Sequence, residues 1–211
     1  MQNEKYKKEP LAHGNYYHIY NRGNNGIDVF FENGNYDYFL KLYHQYIYPI
    51  AETFAWCLMK NHFHFLVYIR NENEVLVDSL QYSTVEKPKV LDASRQFGHL
   101  FNAYTQAINK KHSRTGSLFE KPFERKLVTS EKYLQNLICY IHNNPVHHGF
   151  TKTAAEYPWS SYDTILSGKT TKLKREAVIE IYGTKENFID CHNEEQDFRE
   201  ISEVLIDLGG C

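Results

Sequence analysis

Cysteine is scarce in this chain, and what there is carries no metal or disulfide pattern. Cys57, Cys139, Cys191 and Cys211 show no Cys-x-x-Cys spacing, which argues against a zinc ribbon or a disulfide framework. Cys57 and Cys139 lie in apolar segments and read as buried thiols. Long hydrophobic runs are also missing: none approaches membrane-spanning length, and the opening Met1-Gln2-Asn3-Glu4-Lys5 has no apolar signal region. The expectation is a soluble, cytoplasmic protein with no membrane partner. There is no internal repeat. An excess of positive charge is lacking too, with 24 basic against 26 acidic residues and a net charge of −2, which at first sight argues against a nucleic-acid partner.

The distribution of charge softens that objection. From Glu186 onward there are eight acids (Glu186, Asp190, Glu194, Glu195, Asp197, Glu200, Glu203 and Asp207) and one base, Arg199. Without that segment the body carries +5, and Lys110–Lys132 holds seven bases to three acids. An acidic tail on a mildly basic body is compatible with phosphate binding by the body. Hydrophobic residues at 42% and aromatics at 15% predict a folded chain. Seventeen tyrosines suit a surface that stacks on a large polar ligand.

The order of elements is legible from periodicity. Tyr16–Arg22 reads as a strand closed by the turn Gly23-Asn24-Asn25-Gly26. Tyr36, Phe39, Leu40, Tyr43 and Ile47 give a helix over 35–48. Thr53–Lys60 and His62–Arg70 read as consecutive strands. A short helix is predicted over Glu74–Tyr82, then a longer one capped by Ser94 that runs to about Lys111, using Phe97, Leu100, Phe101, Tyr104 and Ile108. A loop from His112 enters a fourth strand at Arg125–Thr129, and Ser130 starts a helix to about Asn143, where Pro145 stops it. Beyond come turns, a helix over Arg175–Tyr182 and another near Glu195–Leu208. Strand, helix, strand, strand, helix, strand, helix suits an α+β fold: a ferredoxin-like antiparallel sheet with helices on one face and a C-terminal helical tail. The division expected is residues 1–165 as the main domain and 166–211 as an extension with the acidic tail.

Within the apolar run Trp56–Val67 stand His62 and His64. In a strand they share one face while Phe63 and Phe65 share the other, so the phenylalanines can face a core with the imidazoles side by side opposite. Two imidazoles on a rigid sheet are two-thirds of a metal site; the plainer alternative is a pair decorating a solvated face. A further oxygen donor is available on the helix before Pro145. Tyr140 and Asn144 are four residues apart, on one helix face about 6 Å from each other. Two nitrogens and an amide oxygen would leave open positions on a divalent ion, and manganese tolerates imidazole better than magnesium does. A phenol beside such a metal could attack a phosphate. Tyr140 reads equally as a core aromatic among Leu134, Leu137, Ile138 and Ile141, and Tyr133 lies two turns earlier on nearly the same face; the pattern does not choose between them.

Lys60-Asn61-His62-Phe63-His64-Phe65-Leu66-Val67, followed about 75 residues later by Cys139-Tyr140-Ile141-His142-Asn143-Asn144-Pro145-Val146, resembles the HUH single-tyrosine transposases, and within them the REP-associated tyrosine transposases. His18-Ile19-Tyr20-Asn21-Arg22-Gly23 and Gly116-Ser117-Leu118-Phe119-Glu120 are similar to that group as well. The four blocks stand in the family order and span about residues 13–165. The resemblance implies the HUH endonuclease type of fold and a strand transferase acting on single-stranded DNA with hairpins or repeats. It implies His62 and His64 as ligands of a divalent metal (Mg2+ or Mn2+), Asn144 as the third ligand, and Tyr140 as the nucleophile that leaves a 5′-phosphotyrosine and a free 3′-OH. No nucleotide cofactor is implied. Arg22, Lys121, Arg125 and Lys126 are candidate DNA contacts, since bases near Tyr and Phe suit single-strand binding. The competing functions are a domesticated, non-catalytic DNA-binding protein and a phosphodiesterase that uses metal without a covalent intermediate. Monomer and homodimer both remain open.

Overall fold

The computed structural model describes residues 10–75 and 91–194. Four strands, β1 (Tyr16–Arg22), β2 (Ala51–Met59), β3 (His62–Ile69) and β4 (Glu124–Leu127), form one antiparallel sheet in the order β2-β3-β1-β4. Helices α1 (Asn33–Tyr46) and α2 (Ala93–Lys111) link β1 to β2 and β3 to β4, and α3 (Glu131–His147) follows β4. This is the α+β antiparallel order anticipated from periodicity, with the histidine strand β3 in the interior. Tyr20 stands opposite His64 across β1 and β3, and Arg22 opposite His62.

The alternation of side chains makes two cores. Ile19, Phe63, Phe65 and Val67 point to one face and pack with Phe39 and Tyr43 of α1 and Phe97, Leu100, Phe101 and Tyr104 of α2. Each large apolar side chain buried there contributes roughly 1.5–3 kcal/mol relative to exposure. Tyr20, Cys57 and Leu66 point the other way and pack with Leu137, Ile138, Tyr140 and Ile141 of α3. Helices therefore cover both faces, where the sequence reading placed them on one. The physical reason lies in α3: Leu134, Leu137, Ile138 and Ile141 make an apolar surface too wide to leave in water, and the second sheet face is where it can be covered.

Two helix ends depart from expectation. The side chain of Asp92, rather than Ser94, caps α2 by accepting the Arg95 N–H; the Ser94 hydroxyl accepts from Arg125 instead. Helix α3, capped by Ser130 as its sequence indicates, passes through Pro145 to His147. Proline removes a single backbone donor, and so close to the C-terminal end the chain closes around it: His148 N–H reaches Asn144 O, and Phe150 N–H reaches Pro145 O.

After α3 come α4 (Tyr162–Leu166), α5 (Arg175–Tyr182) and α6 (Lys185–Asn193). Of these only α5 is evident in the sequence pattern. Val178, Tyr182 and Phe188 join the α3 core. The edge of β2 is covered by the segment before α4, through Leu58 N–H to Trp159 O and Ser161 N–H to Trp56 O, which removes an exposed pairing edge. Most of the predicted helix over Glu74–Tyr82, and all of that near Glu195–Leu208, lies outside the described residues. No described helix is long and apolar enough to cross a membrane.

Candidate metal and nucleophile site

β3 presents His62 and His64 on the face that α3 covers, so the two imidazoles are buried at 7% and 0% exposure and do not decorate a solvated surface. Helix α3 brings Asn144 onto them. His62 Nε2 lies 2.9 Å from Asn144 Oδ1, and Asn144 Nδ2 lies 3.3 Å from His64 Nε2. Tyr140, 1% exposed, packs one helical turn earlier with its ring centroid 5.5 Å from that of His64. Its hydroxyl bonds the Asn144 side chain. Four sequence candidates, His62, His64, Tyr140 and Asn144, thus meet in one place. Tyr133 sits seven residues up the helix, roughly 10 Å away along its axis, beside Lys126.

Beneath this group lies a residue that the sequence reading did not single out. His18 is fully buried, and its Nε2 lies 2.9 Å from His64 Nδ1. Its ring is edge-on to Tyr140 with centroids 6.3 Å apart. Parity places His18, Tyr20 and Arg22 on one face of β1, but only the pairing of β1 with β3 brings that face beside the His-x-His pair. Asn61 was overlooked as well; its Oδ1 lies 2.7 Å from His62 Nδ1.

The imidazoles are held neutral. Burial lowers the pKa of His62 to about 4, helped by His148 and Arg22 and opposed by the Asn144 bond. Burial, then Lys126, lowers His18 to about 3, and burial takes His64 well below its ordinary range. Each neutral ring has one N–H and one lone pair. Asn144 Nδ2 donates to His64 Nε2, so the His64 proton sits on Nδ1 and is given to His18 Nε2. The His18 proton is then on Nδ1, a buried atom without a hydrogen-bond partner among the described residues. His62 faces amide oxygens on both sides and can donate to only one. Its Nε2 donates to Asn144 Oδ1 at 2.9 Å, the bond that opposes the effect of burial, and its Nδ1 faces the Asn61 amide.

His62 Nε2, His64 Nε2 and Asn144 Oδ1 converge as two nitrogens and an oxygen, a donor set that a divalent cation would hold in place of these hydrogen bonds, and neutral imidazoles are the form a metal requires. No described group of three or more His, Cys, Asp or Glu could hold a metal; here the third donor is an amide. The residues fit the ion. Tyr140 is less ready: burial raises its pKa, and the Asn144 bond only partly offsets this.

Of the four candidate bases, the three on strands separate by parity. Lys126 pairs with His18 and lies on the histidine face, as does Arg22, which stands opposite His62 and is 3.5 Å from Glu120. Arg125 points to the other face, donates to Ser94 Oγ at 2.7 Å and lies 4.0 Å over the Phe123 ring. Lys121 is exposed on the loop before β4. Gly23, next to Arg22, is required by close approach, since a Cβ there would fall 1.9 Å from Ile27 O.

A protein of Haemophilus influenzae assigned by name to the REP-associated tyrosine transposases is 27% identical over 116 residues, covering 54% of this chain and 60% of that protein. A solved structure of a REP-associated tyrosine transposase bound to a REP hairpin superposes with a TM-score of 0.55 at 15% identity, over 82% of this chain and 96% of that one. The chain resembles the REP-associated tyrosine transposases in sequence and in fold. No family model matches it. The sequence match spans about three-fifths of the Haemophilus protein's length, and the structural match shows the fold.

Proposed function

We propose that this protein cuts and rejoins single-stranded DNA bearing hairpin or repeat elements, with Tyr140 as nucleophile and a divalent metal, magnesium or manganese, held by His62, His64 and Asn144. One observation carries this reading: two neutral imidazoles and an amide oxygen converge beside a phenol that shares the same amide. The resemblance to transposases that include a hairpin-bound structure supports the choice of DNA.

A bound divalent ion would neutralise charge on the scissile phosphate and support the leaving oxygen. Everything else falls to the chain. The Tyr140 oxygen, having lost its proton, forms a bond to phosphorus as the bond from phosphorus to the 3′ oxygen breaks. The 3′ oxygen leaves as a hydroxyl after taking up a proton, and the 5′ end stays on Tyr140 as a phosphodiester. The same number of phosphoester bonds is present before and after, so a 3′-OH can reverse the step without a nucleotide cofactor. Asn144 spans both parts of the site, bonding the phenol and presenting its oxygen to His62 and its amide nitrogen to His64. Arg22 and Lys126 on the histidine face, with Lys121 on the neighbouring loop, would hold the DNA backbone. Arg125, engaged by Ser94 and Phe123, would brace the start of β4.

The test is incubation with manganese and a labelled stem–loop oligonucleotide, read for a denaturant-resistant protein–DNA adduct. The wild type should form one, and Tyr140→Phe should bind DNA but form none. Cleavage without an adduct would mean hydrolysis by water, and binding with neither would mean a domesticated DNA-binding protein.

A further inference from the structure

A cavity of about 480 Å³ opens on the other side of the sheet from Tyr140, between α2 and the loop over 116–123. Its floor is apolar, made by Phe101, Phe119 and Phe123. Its walls are polar: Asn102 and Thr105 come from α2, and Ser117 from the loop. Lys121 and Glu120 also line it, and the Glu120 carboxylate lies 3.5 Å from the Arg22 guanidinium. An aromatic floor with amide and hydroxyl walls matches a nucleobase, which has apolar faces and a polar edge. A lysine in the lining suits the phosphate that follows the base.

Gly98 adds an independent observation. It lines the cavity in the stripe Gly98, Asn102, Thr105 of α2, and a Cβ at this position would meet nothing within 4 Å. Glycine weakens a helix interior relative to alanine, and no packing neighbour calls for it here. Its effect is to leave the cavity wall open.

The cavity also lies next to the site. Asn21 lines it from β1, while Arg22, the following residue, points to the opposite face and stands across from His62. Consecutive Cα atoms are about 3.8 Å apart, so the end of β1 alone separates the cavity wall from the residue opposite the histidine pair. We infer that this cavity holds one unpaired nucleobase of the DNA strand beside the scissile phosphate. The inference rests on the single-stranded DNA reading and adds to it a subsite for a base.

The probe is a set of stem–loop oligonucleotides in which a fluorescent adenine analogue replaces, in turn, each unpaired base flanking the stem. In the wild type one position should change its emission sharply on binding. Gly98→Leu should abolish that change and weaken binding about tenfold or more, the loss expected when a base contact goes. It should melt no lower than the wild type, leucine being the better helix former. If Gly98→Leu fails to fold, Asn102→Ala and Thr105→Val carry the same readout. A response that survives the substitution overturns the inference, as does the absence of any responding position. DNA binding and cleavage with no responding position would remove the base subsite and leave the strand-transfer reading intact; no DNA binding at all would remove both.

Discussion

His18 accepts the proton of one candidate ligand and leaves its own Nδ1 buried without a partner, an arrangement that costs on the order of 1–3 kcal/mol. The compensation is control of His64: with its proton fixed on Nδ1, the His64 lone pair is on Nε2, toward Asn144. Partners that orient a metal-bound histidine in this way typically contribute 10–100-fold to metal affinity. His18→Phe should therefore weaken manganese binding about 10–100-fold by isothermal titration while circular dichroism shows the same fold. His18→Gln, which can still accept through its amide oxygen, should recover part of the loss. Unchanged manganese affinity in His18→Phe would show that the histidine pair needs no orienting partner. His62→Ala and Asn144→Ala each remove a donor and should bind manganese more weakly still.

At the scale of elements, the position of α3 decides the site, and a buried relay fastens it. His192 of α6 donates from Nδ1 to Phe188 O at 2.6 Å, and His142 Nδ1 donates to His192 Nε2 at 2.9 Å. Ser161 Oγ donates to His142 Nε2 at 2.7 Å and accepts the Trp56 N–H of β2 at 2.9 Å. Every imidazole nitrogen in this relay has a partner with neutral rings, and burial keeps both rings neutral. His142 lies midway between Tyr140 and Asn144, so the relay ties the site-bearing helix to the sheet and to α6. Ser161→Ala strands His142 Nε2 and the Trp56 N–H together. It should lower the urea-unfolding free energy by about 1–3 kcal/mol; a loss well below that range would mean the relay does little to hold α3.

The elements themselves were largely legible in the sequence, for identifiable reasons. Tyr16–Arg22 and Arg175–Tyr182 coincide with the observed β1 and α5, because a clear period and turn-forming neighbours bound them. The His-x-His pair could be placed on one face of its strand by parity alone. What covers that face could not: β3 is buried on both sides, and a strand buried on both sides carries no mark of which helix lies where. Helix α6 has a weakly amphipathic sequence and went unread, and with it His192. Pro145 misled because its rule describes helix interiors, and here it sits near a helix end. His18 needed the β1–β3 pairing, a contact across 46 residues of sequence.

Across the whole molecule, buried neutral histidines set the response to acid. His18, His62 and His192 have folded pKa values of about 3, 4 and 4 against an ordinary 6.5, lowered mainly by burial. Above 6.5 both folded and unfolded chains hold these rings neutral, and no penalty arises. As pH falls from 6.5 toward about 4, the unfolded chain takes up protons that the folded chain refuses, so stability is lost through that window. The melting temperature should fall steadily over the same interval, above the usual carboxylate range, with His142→Phe or His192→Phe flattening the slope. A flat profile there would mean that these rings are not buried neutral in solution. On the proposed metal site, manganese should raise the melting temperature more at neutral pH than in acid, since protonated imidazoles cannot ligate it.

The most direct measurement is made on the protein–DNA adduct itself. Wild-type protein is incubated with manganese and a stem–loop oligonucleotide, the adduct is digested with nuclease and protease, and the peptide carrying the residual nucleotide is sequenced by mass spectrometry. The modified residue should be Tyr140, the phenol that shares the Asn144 amide with His62 and His64. Modification of Tyr133 or any other tyrosine, with Tyr140 unmodified, would contradict the assignment of this site as the strand-transfer centre.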